Sequence, residues 1–229
     1  MAAQFSLCSD IHPRYRRHAR HGDGWSAKPT MSHRNTTMKT GLPLIRVCAP
    51  LFAGLFMNVA AHAETLTLSS PTIAPNSTLP ASFEFNGFGC NGLNQSPALN
   101  WRGAPTGTQS FAVTVYDPDA PTGSGWWHWM VFNIPANVNG LAANAGEIGG
   151  KRLPAGARQA RIDYGVEAWG GVCPPAGDKP HRYIFTVYAL KTKTLDVAKE
   201  ANPALGGYMI NANTLAKASF TAYYGRPAQ

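Results

Sequence analysis

Glycine, proline and asparagine interrupt residues 64–229 about every dozen positions, which leaves little room for long helices. Between the interruptions lie short runs rich in Val, Ile, Phe, Tyr and Trp, the residues that fit a pleated surface. Leu66 to Leu68, Leu79 to Phe85, Ala98 to Trp101, Phe111 to Tyr116, Trp129 to Ile134, Tyr183 to Leu190 and Ala218 to Tyr224 read as strands. Two segments read as short helices, Leu195 to Glu200 and Ile210 to Lys217. Several short strands with few helices predict a mainly β fold, an antiparallel β-sandwich or barrel with long functional loops. The connection from Pro135 to Gly177 reads as a structured loop rather than a strand-bearing region. There is no internal repeat, heptad pattern or low-complexity tract.

The N-terminal part belongs to a different class. Lys39 and Arg46 precede a mostly apolar run, Val47 to Val59, followed by Ala61-His62-Ala63. A positive start, a short apolar centre and an A-x-A site predict a secretory signal peptide over 38–63, cleaved after Ala63. The apolar run is too short for a membrane span, so none is expected in the mature form. Residues 1–37 are rich in Arg and His and lack periodicity; a misassigned start codon explains them better than a nucleic-acid-binding arm. The expected location is periplasmic or secreted.

This division changes the electrostatics. The whole chain carries a formal charge of +8, but residues 64–229 keep 12 basic and 10 acidic residues. A net +2 spread over that length leaves no basic stripe, so nucleic acid is not an expected partner. The remaining 166 residues suit one domain with a proper core. Cys90 and Cys173 are its two cysteines. An even pair in an oxidising compartment favours one disulfide, with two separate buried thiols as the alternative.

Chemistry concentrates in two stretches. In FAVTVYDPDAPTGSGWWHW, residues 111–129, an apolar strand ends in Asp117 and Asp119, and His128 follows among Trp126, Trp127 and Trp129. In the second stretch, His181-Arg182-Tyr183 opens a strand just after Gly177-Asp178-Lys179-Pro180. His128 and His181 are the two histidines of residues 64–229. Polar residues at strand ends beside rigid turns converge on the rim of a sheet. Three readings compete for that volume. One is an anion pocket, with the imidazoles and the Tyr183 hydroxyl donating, helped by backbone N–H groups of the Gly171–Cys173 loop. Another is a metal site of two His and one or two Asp, without H-x-H or H-E-x-x-H spacing to support it. The third is hydrolysis by a His–Asp pair, without a G-x-S-x-G elbow or an activated cysteine. Against all three stands the plain alternative of buried, satisfied polar groups. Trp126 and Trp129 read as core or pocket wall, and Trp127, of opposite parity, as exposed. Arg182 faces either an aspartate or a ligand, and Ser96 of Asn94-Gln95-Ser96-Pro97 is a candidate for fixing a turn.

DPDAP at 117–121 with G-W-W-H-W at 125–129, and GGVCPPAGDKPHRY at 170–183, resemble the two signatures of the phosphatidylethanolamine-binding protein family. The short segment between DPDAP and the histidine resembles the bacterial Raf kinase inhibitor-like branch, and the likeness covers about 64–227. The resemblance implies a β-sandwich with a small end pocket for phosphate-type anions and phospholipid head groups. Carried over by position, the pocket comprises Asp117, Asp119, Pro121, His128, Gly171, Cys173, Pro174, His181 and Tyr183, closed by Tyr224. It implies no cofactor, no metal and no enzymatic activity, but binding and modulation of partner proteins such as kinases or proteases. Protease inhibition through the loops is the alternative mode. Cys173 stands where relatives outside bacteria commonly have glycine, so a bridge to Cys90 would stiffen the pocket lip. Trp127 replaces a second histidine common in those relatives. Anion binding is expected to strengthen as pH falls, through protonated His128 and His181.

Overall fold

A computed structural model describes residues 65–228, so the leader, its cleavage site and the segment 1–37 lie outside the described residues. In chain order the elements are β1 (Thr67–Ser69), β2 (Asn86–Gly87), β3 (Cys90–Asn91), β4 (Leu99–Arg102), β5 (Ser110–Asp117), β6 (Trp126–Pro135), β7 (Gly140–Leu141), β8 (Arg158–Gln159), β9 (His181–Leu190), α1 (Pro203–Ala212) and β10 (Thr214–Tyr224). A five-stranded antiparallel sheet, ordered β10-β9-β5-β6-β8, packs against a three-stranded sheet, β1-β4-β7, and β2 pairs with β3 in a small hairpin. The fold is the expected β-sandwich, with one α-helix and a single 3₁₀ turn, at Ala81–Phe83, among the described residues.

β5 explains the sheet's layering. It is the middle strand, and seven of its eight residues are buried. Phe111, Val113 and Val115 face the sandwich interior with Trp101, Trp129, Val131, Phe185 and Val187. Ala112 faces the opposite side, where Met130, Phe132, Leu190, Leu195 and Ile210 form a second core under α1. A strand covered on both faces reads as a continuous apolar run, which is why FAVTVY does not alternate. Each of these large side chains contributes about 1.5–3 kcal/mol by leaving water.

Two β-bulges break the pairing of β5 with β6. Val115 pairs with Trp129 and Tyr116 with Trp127, so His128 is an extra residue opposite no partner. The second lies between Phe111/Val113, where Asn133 adopts a φ of 59° and its side chain bonds the backbone of Leu195. A bulge lets two successive residues share one face of a sheet. His128 thereby joins Trp129 on the sandwich side, while Trp127 packs on the other face beside Tyr116.

Four sequence-based assignments differ from the structure. The helix spans Pro203–Ala212, not Ile210 to Lys217, and Leu195 to Glu200 is not helical. Its start is marked by Asn202, whose side chain accepts from Leu205 N–H, with Pro203 in the first turn. Gly206 and Gly207 hid it; a Cβ at Gly206 would come within 2.5 Å of the Met130 sulfur, so close packing requires glycine there. Residues 79–85 form the 3₁₀ turn and an isolated bridge rather than a strand. The connection from Pro135 to Gly177 carries β7 and β8, two residues each.

Candidate ligand-binding site

β5 ends at Asp117 because Pro118 has no N–H to continue the ladder. The buried Asp117 carboxylate then organises the turn: Oδ1 accepts the N–H groups of Asp119 (2.8 Å) and Ala120 (3.1 Å). Its Oδ2 accepts from His181 Nδ1 at 2.8 Å. Pairing of Tyr116 with Ile184 brings the start of β9 to this end of the sheet. His181 Nε2 lies 3.5 Å from Asp178 Oδ2, so His181 is held between two carboxylates. Among the described residues, no group of three or more His, Cys, Asp and Glu stands close enough together to hold a metal ion.

His128 is held differently. Its Nδ1 sits 2.8 Å from the Gly170 carbonyl and 3.1 Å from that of Gly171. Carbonyls only accept, so Nδ1 carries the proton and the neutral ring presents a bare lone pair at Nε2. That Nε2 is buried and has no partner. Burial pushes the imidazole below its ordinary value, against the opposing pull of the two carbonyls and of Asp117 and Asp163. Tyr183 packs edge-on to the ring at 5.1 Å, and its buried hydroxyl also lacks a partner, its approach to Asp117 falling short of a hydrogen bond. Burial drives the Tyr183 phenol well above its usual range, so it remains protonated. The third orphaned buried atom among the described residues, Trp169 Nε1, belongs to the core.

These groups surround a cavity of about 180 Å³. Asp117, His128, His181 and Tyr183 form its polar part; Pro121, Trp126, Tyr164, Pro174, Phe88 and Cys173 are among its walls. Among the described residues, no Lys or Arg lines it. The Cys90–Cys173 disulfide, with Cα atoms 6.1 Å apart, ties the β2–β3 hairpin to this lip. At the hairpin tip Phe88 is 76% exposed and takes a φ of 54°, between two glycines of positive φ. Its ring stacks on Tyr164 at 5.8 Å.

Of the residues expected in the pocket, Asp117, Pro121, His128, Cys173, Pro174, His181 and Tyr183 line the cavity; Asp119, Gly171 and Tyr224 do not. Asp119 turns outward and clamps Arg182, accepting from its backbone N–H (2.8 Å), Nε (2.9 Å) and Nη2 (2.6 Å). The guanidinium holds this carboxyl down to about 2. Tyr224 bonds Glu84 instead, and burial with that bond pushes its phenol up to about 12. The Gly171–Cys173 loop spends two of its three N–H groups inside the fold. Gly170 N–H donates to the His128 carbonyl, Gly171 N–H to Asn94 Oδ1 and Val172 N–H to the Phe83 carbonyl. Gly171 is a packing requirement, since a Cβ would come within 2.4 Å of the Phe85 nitrogen. Ser96 fixes a loop through the Gly146 N–H at 2.8 Å.

Sequence reasoning missed Tyr164, which donates to the Gly171 carbonyl at 2.7 Å and packs against His128. It also missed Phe88 and Asn94. Their only signal was an aromatic or amide set in a Gly/Pro-rich loop.

The sequence pattern of the phosphatidylethanolamine-binding proteins matches residues 69–225. The chain belongs to that family. It is 53% identical over 169 residues to the UPF0098 protein YbcL of Escherichia coli K12, covering 74% of this chain and 92% of YbcL. It is 45% identical to the UPF0098 protein YbhB of the same organism, covering 69% and 99%. The crystal structure of E. coli YbcL, described as a new member of the mammalian PEBP family, superimposes with a TM-score of 0.69 at 54% identity, covering 70% of this chain and 98% of that one.

Proposed function

We propose that this protein is an exported binding protein, not an enzyme, whose cavity takes a small phosphate-type anion, free or as a lipid head group. One observation carries the reading: His128 Nε2 and the Tyr183 hydroxyl are both buried, both lack a partner, and both belong to residues that line the same cavity. A buried polar atom without a partner costs about 1–3 kcal/mol, and a bound ligand removes that cost. The family's name, phosphatidylethanolamine-binding, supports a phosphoryl ligand. The apolar lip accommodates whatever substituent the phosphoryl group carries. Export is supported by the leader pattern of residues 38–63 and by a disulfide, which persists in oxidising compartments. Exposed Phe88 and Leu93 beside the lip are the surface through which a partner protein would be engaged and modulated.

Titration with O-phosphoethanolamine, followed by amide chemical shifts, tests this. Shifts should centre on Asp117–Trp129 and Gly170–Tyr183 and vanish in His128→Ala. Saturable binding that is unaffected by His128→Ala would overturn the pocket reading, and absence of any shift would overturn phosphoryl binding.

A further inference from the structure

We propose that the Cys90–Cys173 bridge is a reducible site: a dithiol reductant attacks Cys173, and Arg226 holds Cys90 as the departing thiolate. The inference concerns the bridge and does not rest on what the cavity binds.

The two sulfurs have different surroundings. Cys90 is 2% exposed, whereas Cys173 is half-buried and belongs to the cavity wall. An approaching thiolate therefore meets Cys173 Sγ first, and Cys90 becomes the leaving group. Arg226 is placed against that leaving group. Its Nη1 reaches Cys90 Sγ and lies 3.6 Å from Cys173 Sγ, and it donates to the Gly89 carbonyl at 3.0 Å. Among the described residues no carboxylate pairs with Arg226, and Glu84, the acid beside the hairpin, is held by Asn91 N–H and the Tyr224 hydroxyl. The guanidinium charge is thus available to the sulfurs. A disulfide sulfur is a weak, neutral acceptor and gains little from it. A thiolate in the same place gains a charge-assisted bond. The contact therefore favours the reduced state and speeds its formation, because exchange is faster when the leaving sulfur is stabilised as an anion.

The steps balance with the dithiol as electron donor. Its thiolate attacks Cys173 Sγ, the Cys90–Cys173 bond breaks, and Cys90 leaves as a thiolate beside Arg226. The donor's second thiolate attacks its own sulfur in the mixed disulfide and expels Cys173 as a thiolate. The two cysteines gain two electrons, the donor becomes a disulfide, and the protons its thiols released are shared with the new cysteine thiolates and solvent. Reduction unties the β2–β3 hairpin from Cys173. The hairpin tip keeps the Arg226–Gly89 bond and the ring contacts of Phe88 with Phe85 and Tyr164.

The test is reduction of the native full chain by dithiothreitol, with Cys90 and Cys173 followed by peptide mass so that Cys8 and Cys48 are kept apart. Arg226→Gln should slow reduction about tenfold and move the equilibrium toward the disulfide. Arg226→Lys, which keeps the charge, should recover most of both. An Arg226 that only braces the lip predicts the opposite sign, since loosening the hairpin exposes the bridge and speeds its reduction. Both substitutions retain the backbone bond from Gly177 N–H to the carbonyl of position 226. In the unaltered chain, a brief exposure to glutathione quenched in acid should leave the adduct on Cys173. Reduction of Arg226→Gln as fast as the unaltered chain or faster, or an adduct on Cys90, would overturn the inference. Reduction that proceeds no faster than global unfolding would do the same, and neither of the last two measurements needs a variant to fold.

Discussion

The two sides of the cavity are built on opposite rules. On the Asp117–His181 side the polar groups bond one another: Asp117 accepts from two backbone N–H groups and from His181 Nδ1, with Asp178 3.5 Å from His181 Nε2. On the His128–Tyr183 side two buried polar atoms have no partner. The first side is scaffold that fixes the turn and the start of β9. The second is left open at a cost to the folded state, which the proposed ligand would recover. Proximity to the cavity therefore does not identify a binding residue; unused bonding capacity does.

The sharpest way to break this contrast is to damage the scaffold. The disulfide closes a loop of sequence separation 83, so Cys90→Ser with Cys173→Ser should cost about 4.5 kcal/mol in urea unfolding. Asp117→Ala removes one partner of a buried pair and should cost about 3–5 kcal/mol, seen in the same measurement. A loss under about 1 kcal/mol in Asp117→Ala would mean that this side is not scaffold. Tyr183→Phe is the converse experiment. Because its hydroxyl is buried and bonds nothing internally, stability should rise by about 1–3 kcal/mol while phosphate affinity falls roughly tenfold. A strong loss of stability would place Tyr183 on the scaffold side.

Smaller effects come from titration. The folded His128 has a lowered pKa, so the unfolded chain binds the extra proton first. Its contribution to stability is complete above about 6.5 and is lost as pH falls below that value toward the folded pKa. Unfolding free energy measured against pH should show this slope, and His128→Gln should reduce it. Asp119 also has a lowered pKa, about 2, so its contribution is complete above the ordinary carboxylate range and disappears as pH falls toward 2. The Asp119–Arg182 clamp is solvent-exposed, so Asp119→Asn should flatten only this acid window and change phosphate affinity less than twofold.

The sandwich was legible in the sequence because turn residues and β-rich runs are local signals, and β5 and β9 were read nearly to their ends. The two histidine-bearing stretches were legible for the same reason. What escaped depends on tertiary contact. The bulge that turns His128 inward is a mismatch between two strands, invisible in either alone. DPD looks like two equivalent acids, yet one is buried under His181 and the other clamps Arg182. Tyr224 was misplaced because Glu84, 140 residues away, holds its hydroxyl. The expected protonated His128 donor became an acceptor because the carbonyls of Gly170 and Gly171 claim the proton, a fact of loop geometry.

The most direct measurement is the ¹⁵N spectrum of the His128 ring, at neutral pH, with and without inorganic phosphate. A protonated Nδ1 with a bare Nε2 is expected in the unliganded protein, and a phosphate-dependent change at Nε2 on saturation. A proton on Nε2 in the unliganded protein, or an Nε2 signal untouched by saturating phosphate, would contradict the unpartnered Nε2 on which the cavity's proposed role depends.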